Sequence, residues 1–164
     1  MQATEVLTVV AEISIALAGF TGIVVAYRQR GLDELLPHEL VRLRFMLGVA
    51  CTTLLFAFLP FLPHYFGLAP SSTWIVSSAA MAVGLLFLAL TIYSRAKSHL
   101  NRMSLAWFVT YVAGSALFAL MALTNTLELL GPPGPGQYLA GLGWLLFVSI
   151  SLFVRLILAP LSPQ

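Results

Sequence analysis

Charge is what this sequence has least of. Asp, Glu, Lys and Arg make up 9% of its 164 residues, well below the share with which soluble domains coat a water-facing surface. That argues against a soluble enzyme and against a nucleic-acid-binding protein. A formal charge of +2 and a pI near 9.0 do not restore the case for nucleic acid. Cysteine is almost missing. Cys51 stands alone in an apolar stretch, so no intrachain disulfide can form, and it reads as a small buried hydrophobe. Lys97, the one lysine, lies in a basic connection, which leaves no intramembrane amine for a Schiff base. His38, His64 and His99 sit at or beyond the ends of apolar runs, so haem ligation by two histidines inside the membrane has no ligands. No His, Cys and carboxylate residues recur at metal spacing. The GPPGPG stretch lacks the lysine and strand–helix context of a phosphate loop. No nucleophile–base pair or pair of carboxylates shares a depth. Catalytic residues, metal and cofactor are therefore not expected, and neither is an enzyme.

Apolar residues fill the space that charge leaves. The chain is 60% hydrophobic and 12% aromatic, with 11 Phe, and its mean hydropathy is +0.97. A disordered chain would not carry so many large side chains. A membrane-spanning helix needs about 20 mainly apolar residues, and five such runs are found, at 4–27, 44–63, 73–93, 103–126 and 138–159. The expected fold is all-α: a polytopic membrane protein in one transmembrane domain covering residues 1–164, a five-helix bundle with the lipid bilayer as its solvent. The start MQATEVL has no basic region of the kind that precedes a cleaved signal, so the first run is expected to be retained as a span.

Basic residues orient the bundle. Arg28, Arg30, Arg42 and Arg44 follow the first run, Arg95, Lys97 and Arg102 follow the third, and Arg155 lies near the C-terminal end. The alternate connections hold none. Because Lys and Arg collect on the cytoplasmic side, the N-terminus is expected outside and the C-terminus inside. Tyr65, Trp74 and Tyr138 then fall at outer ends, and Tyr27 and Tyr93 at inner ends. Residues 28–43 read as a cytoplasmic amphipathic elbow, with Pro37 in a first helical turn. Leu36, Leu40 and Leu43 share one face of it, and Glu39 and Arg42 pair on the other.

Glu12 is the polar residue that costs most. It lies about 12 Å along the first span, where a carboxyl normally faces a bundle interior or a water-filled cavity. It is either a proton or cation site or a hydrogen-bonded structural group. Thr8 and Ala16 flank it one turn away, and Gly19 continues the face. A second face holds Ala11, Ala18, Gly22 and Ala26, a small-residue pattern for close helix packing. Small residues on two faces suggest that the first span is the crowded centre of the bundle. Arg155 lies roughly 13 Å from Glu12 along the membrane normal and is expected to reach the inner headgroups. Ser77 and Ser78 are the expected hydrogen-bonding partners of Glu12. Asn125 and Glu128, with His64, suggest an acidic outer vestibule, or simply a wet helix end. Pro60 removes a backbone donor and predicts a kink.

The segment from Glu12 to Ala26, EISIALAGFTGIVVA, resembles the first helix of small, uncharacterised bacterial integral membrane proteins through its AGFTGI core. The resemblance covers about a tenth of the chain. It implies a bacterial inner (plasma) membrane and no assigned activity. Two functional readings stay open. One is a homo-oligomeric channel or ion pathway for cations or protons using Glu12. The other is a non-transporting subunit that assembles with, or regulates, a membrane protein partner.

Overall fold

The computed structural model describes residues 3–30, 37–99, 105–129 and 131–158. It is all-helical, with α1 at Ala3–Arg30, α2 at Pro37–Phe58, α3 at Phe61–Tyr65, α4 at Pro70–His99, α5 at Leu105–Thr126 and α6 at Pro135–Leu158. Among the described residues, five spans are long and apolar enough to cross a membrane: Ala3–Val24, Leu43–Tyr65, Pro70–Thr91, Phe108–Thr126 and Pro135–Arg155. Only 28% to 39% of each is buried. Large apolar side chains such as Leu55, Phe87 and Leu90 point outward, as they must where the solvent is hydrocarbon.

The helix ends follow from local chemistry. α2, α4 and α6 each open on a proline, whose missing N–H is no loss in a first turn and whose fixed φ suits a helix. The expected interruption at Pro60 is present. α2 stops at Phe58, and after a turn at Leu59–Pro60 the chain resumes as α3. Gly67, at φ 76°, closes α3 with its N–H on the His64 carbonyl at 3.0 Å. After α5, Glu128 takes φ 56° and Gly131 φ 118°, turning the chain into α6.

The chain divides into two compact units, Met1–Ala57 with Leu145–Gln164, and Phe58–Trp144. In the first, Val24 of α1, Leu43 and Met46 of α2, and Leu152 and Phe153 of α6 form one apolar cluster. The Phe20 and Phe153 rings lie 6.3 Å apart beside it.

In the second unit, side-chain contacts give the helix directions. Ser78 meets Asn125 near one end of the α4–α5 pair, and Tyr93 meets Phe108 near the other, so α4 and α5 are antiparallel. Gln137 meets Thr124 while Trp144 meets Ser115, which makes α5 and α6 antiparallel as well. Close approach replaces side-chain volume at two glycines. A Cβ on Gly114 would fall inside the Trp144 ring edge, and one on Gly141 would collide with Met81 Sδ.

Residues 28–30 end α1 and α2 starts at Pro37, while residues 31–36, the middle of the expected 28–43 elbow, lie outside the described residues. Two expectations change. Cys51 is exposed rather than buried, since an apolar neighbourhood in a span does not say which side faces lipid. Finally, α1 is not crowded on two faces. Gly19, Gly22 and Ala26 are exposed, Ala18 is half-buried, and no atom lies within 4 Å of a Cβ built on either glycine.

Candidate functional site

α1 has two unlike faces. Leu7, Ser14 and Thr21, seven residues apart, are buried together with Val10, Ala11 and Leu17. The buried hydroxyls bond within their own helix, Ser14 Oγ to the Val10 carbonyl at 2.8 Å and Thr21 Oγ1 to the Leu17 carbonyl at 2.6 Å. Bonding of this kind satisfies a hydroxyl without any neighbouring helix.

The opposite face is open and carries Val9, Glu12, Ala16, Gly19, Ile23 and Ala26, all exposed. Glu12 stands about 14 Å along the helix from Ala3, close to halfway through a hydrocarbon core of about 30 Å. Thr8 is exposed beside it, its Oγ1 donating to the Thr4 carbonyl at 3.0 Å. Glu12 is therefore not buried within its own chain.

The remaining candidate residues lie in the second unit, and two of them, Asn125 and Ser78, form a clasp. Asn125, at the last turn of α5, is buried. Its Nδ2 donates to Ser78 Oγ at 2.7 Å and to the Gly134 carbonyl at 3.1 Å, and its Oδ1 accepts the Gly134 N–H at 3.1 Å. One amide thus joins α4, α5 and the turn that leads into α6. Thr124 Oγ1 adds a bond to Gln137 Oε1 at 3.2 Å. Asn125 is therefore an internal fastener and not a wall of a vestibule. Glu128 and His64 are exposed, and the His64 ring stands edge-on to Tyr65, with centroids 6.4 Å apart.

Ser78 belongs to the clasp. Ser77 beside it is fully buried, and its Oγ has no hydrogen-bond partner, as is also true of Ser149 in the first unit. Sequence reasoning missed Ser115, whose Oγ accepts from Trp144 Nε1 at 3.1 Å while the Trp144 ring stacks on Phe118 at 5.4 Å. The available signal was a serine inside a span with an indole on a neighbouring helix, since a buried indole N–H normally finds an acceptor. Among the described residues, no three His, Cys, Asp or Glu gather to hold a metal ion.

The helices and their outward apolar surface define a polytopic α-helical membrane protein. Comparison with family models, curated proteins and solved structures returns no match to any of them.

Proposed function

We propose that the protein is a small homo-oligomeric membrane protein of the bacterial inner membrane, with its N-terminus outside, that provides a cation or proton pathway lined by Glu12 of α1. The observation that carries this reading is the exposure of Glu12 deep within a membrane span. A charged side chain at mid-membrane facing lipid costs about 2.5–3.5 kcal/mol on insertion scales, and water or a neighbouring subunit removes that cost. Five spans in one chain are too few to enclose a hydrated pore, so the pathway forms around an axis shared by several copies. Thr8, one turn above Glu12, supplies a further oxygen to a passing cation.

The test is proton and monovalent-cation flux into proteoliposomes, comparing the wild type with Glu12→Gln at matched incorporation. The wild type conducts, and the variant loses at least about tenfold of the flux, the effect of about 1.4 kcal/mol on a barrier. Absence of flux above empty liposomes, with both proteins equally stable, refutes the pathway. It favours a non-transporting subunit that docks a membrane partner, a reading that draws on the same open face, because Ala16 and Gly19 suit close approach of another helix.

A further inference from the structure

We infer that the clasp end of the second unit is a lipid-binding surface: its two connections, at 62–68 and 127–129, lie in the phospholipid headgroup layer instead of standing in water. The inference is independent of the ion pathway, since no residue of α1 enters it.

Both connections emerge at one end. α3 leads into the start of α4, and the turn into α6 follows the end of α5. Because α4 and α5 are antiparallel, with Ser78 on Asn125 near this end, the two connections share it. Their exposed side chains are large and apolar: Leu62, Tyr65, Phe66 and Leu68 on one, Leu127 and Leu129 on the other. Tyr65 at 85% and Phe66 at 81% are more exposed than Phe87 in the middle of α4, at 72%. Charge is nearly missing here. Phe58 to Trp74 contain no Asp, Glu, Lys or Arg, and Thr124 to Tyr138 contain Glu128 alone, whereas the connection between α4 and α5 carries Arg95, Lys97 and Arg102. An exposed apolar patch of this kind marks a membrane or protein contact.

Continuity and depth name lipid as the occupant. Leu62 and Tyr65 fall within the apolar span Leu43–Tyr65, after the exposed Leu55 and Phe58, so the patch continues a surface that faces hydrocarbon. The span Phe108–Thr126 has 19 residues. It is thus about 28 Å long, against a hydrocarbon core of about 30 Å. Leu127 and Leu129 follow at once, where hydrocarbon gives way to a headgroup region about 5–7 Å deep on each side. At that level a tyrosine sets its ring among apolar groups and its hydroxyl among polar ones. The exposed His64 and Glu128 still reach water from there. A protein partner would need a surface matched to two separate connections. Lipid fits both without such matching.

The test is depth measured by spin labelling. Single cysteines at Phe66 and Leu129, in a Cys51→Ser background, carry a nitroxide in vesicles of phosphatidylcholine and phosphatidylglycerol; Phe87→Cys is the mid-span reference. Collision with oxygen, which concentrates in lipid, is compared with collision with a water-soluble nickel chelate. The oxygen-to-nickel ratio at 66 and 129 is expected to lie several-fold above that of free label in buffer and below that at 87. A ratio equal to that of free label at either position overturns the proposal. Protection from both reagents means that protein covers the patch, and overturns it too. His64→Cys gives a second reading that leaves every apolar residue of the patch in place. The same intermediate ratio is expected there, and an aqueous one overturns the proposal. Loss of flux in Glu12→Gln bears on the pathway alone, and the depth of these labels on the lipid contact alone.

Discussion

Gly114→Ala tests how tightly α5 and α6 are fitted, and Gly143→Ala supplies its control. Both glycines lie inside helices, so each substitution brings a gain of about 0.5–1 kcal/mol from helix propensity. At Gly143 nothing lies within 4 Å of the new Cβ, and the gain is kept. At Gly114 the Cβ would stand 2.8 Å from Cε2 of Trp144 and closer still to the ring edge. Trp144 is a large rigid plane and cannot yield by rotating a distal bond. Displacing it breaks the Nε1–H bond to Ser115 and the stack on Phe118. Overpacking costs about 1–3 kcal/mol, the hydrogen bond about 0.6 kcal/mol in a membrane protein and the ring pair about 0.5–1.5 kcal/mol. After the propensity gain, Gly114→Ala is destabilised by roughly 2–4 kcal/mol. Reversible unfolding in mixed micelles, driven by a denaturing detergent and followed by circular dichroism, measures the difference. If Gly114→Ala is as stable as Gly143→Ala, the close approach of α5 and α6 is wrong.

Asn125→Ala removes three hydrogen bonds and strands the Ser78 hydroxyl and the Gly134 amide; it is expected to cost about 2–3 kcal/mol in the same unfolding assay. Gly131→Ala, at φ 118°, is expected to destabilise by at least about 1 kcal/mol, whereas Glu128→Gly, at φ 56°, stabilises by up to about 1 kcal/mol; opposite signs in the thermal midpoint check the turn between α5 and α6. Phe87→Arg places a charge on an outward side chain of α4 that is 72% exposed. It should lower membrane insertion of that span by about 2.5–3.5 kcal/mol, read by a glycosylation-based insertion assay, while Phe87→Leu inserts normally.

The five spans were legible because hydropathy over 20 residues is a property of the segment alone and needs no knowledge of neighbours. The break at Pro60 was legible for a similar reason, since a missing N–H acts locally. The direction in which a span faces was not. In water, the apolar side of a helix announces the core; here Val9, Ile13, Ile15 and Phe20 face outward while Ser14 and Thr21 are buried, because lipid accepts the first group and internal carbonyls satisfy the second. Glu12 was thus recognisable as a costly residue, but its outward direction depended on which other face of α1 the chain buried. Asn125 was misplaced because a polar residue at a helix end looks hydrated, and its partner Ser78 lies 47 residues away. Cys51 shows the same limit, apolar in context yet exposed.

That each span buries at most 39% of its residues also bears on how this sequence can vary. At the other positions the bilayer asks for hydrophobicity and little else, and Leu, Ile, Val and Phe serve it almost interchangeably. The instructions for this fold are therefore concentrated in few places: the glycine under Trp144, the glycine against Met81, the amide of Asn125, and the turns at Pro60 and Gly131. Between them the text is written in synonyms, so two chains of this design can drift far apart in letters while keeping every helix where it is.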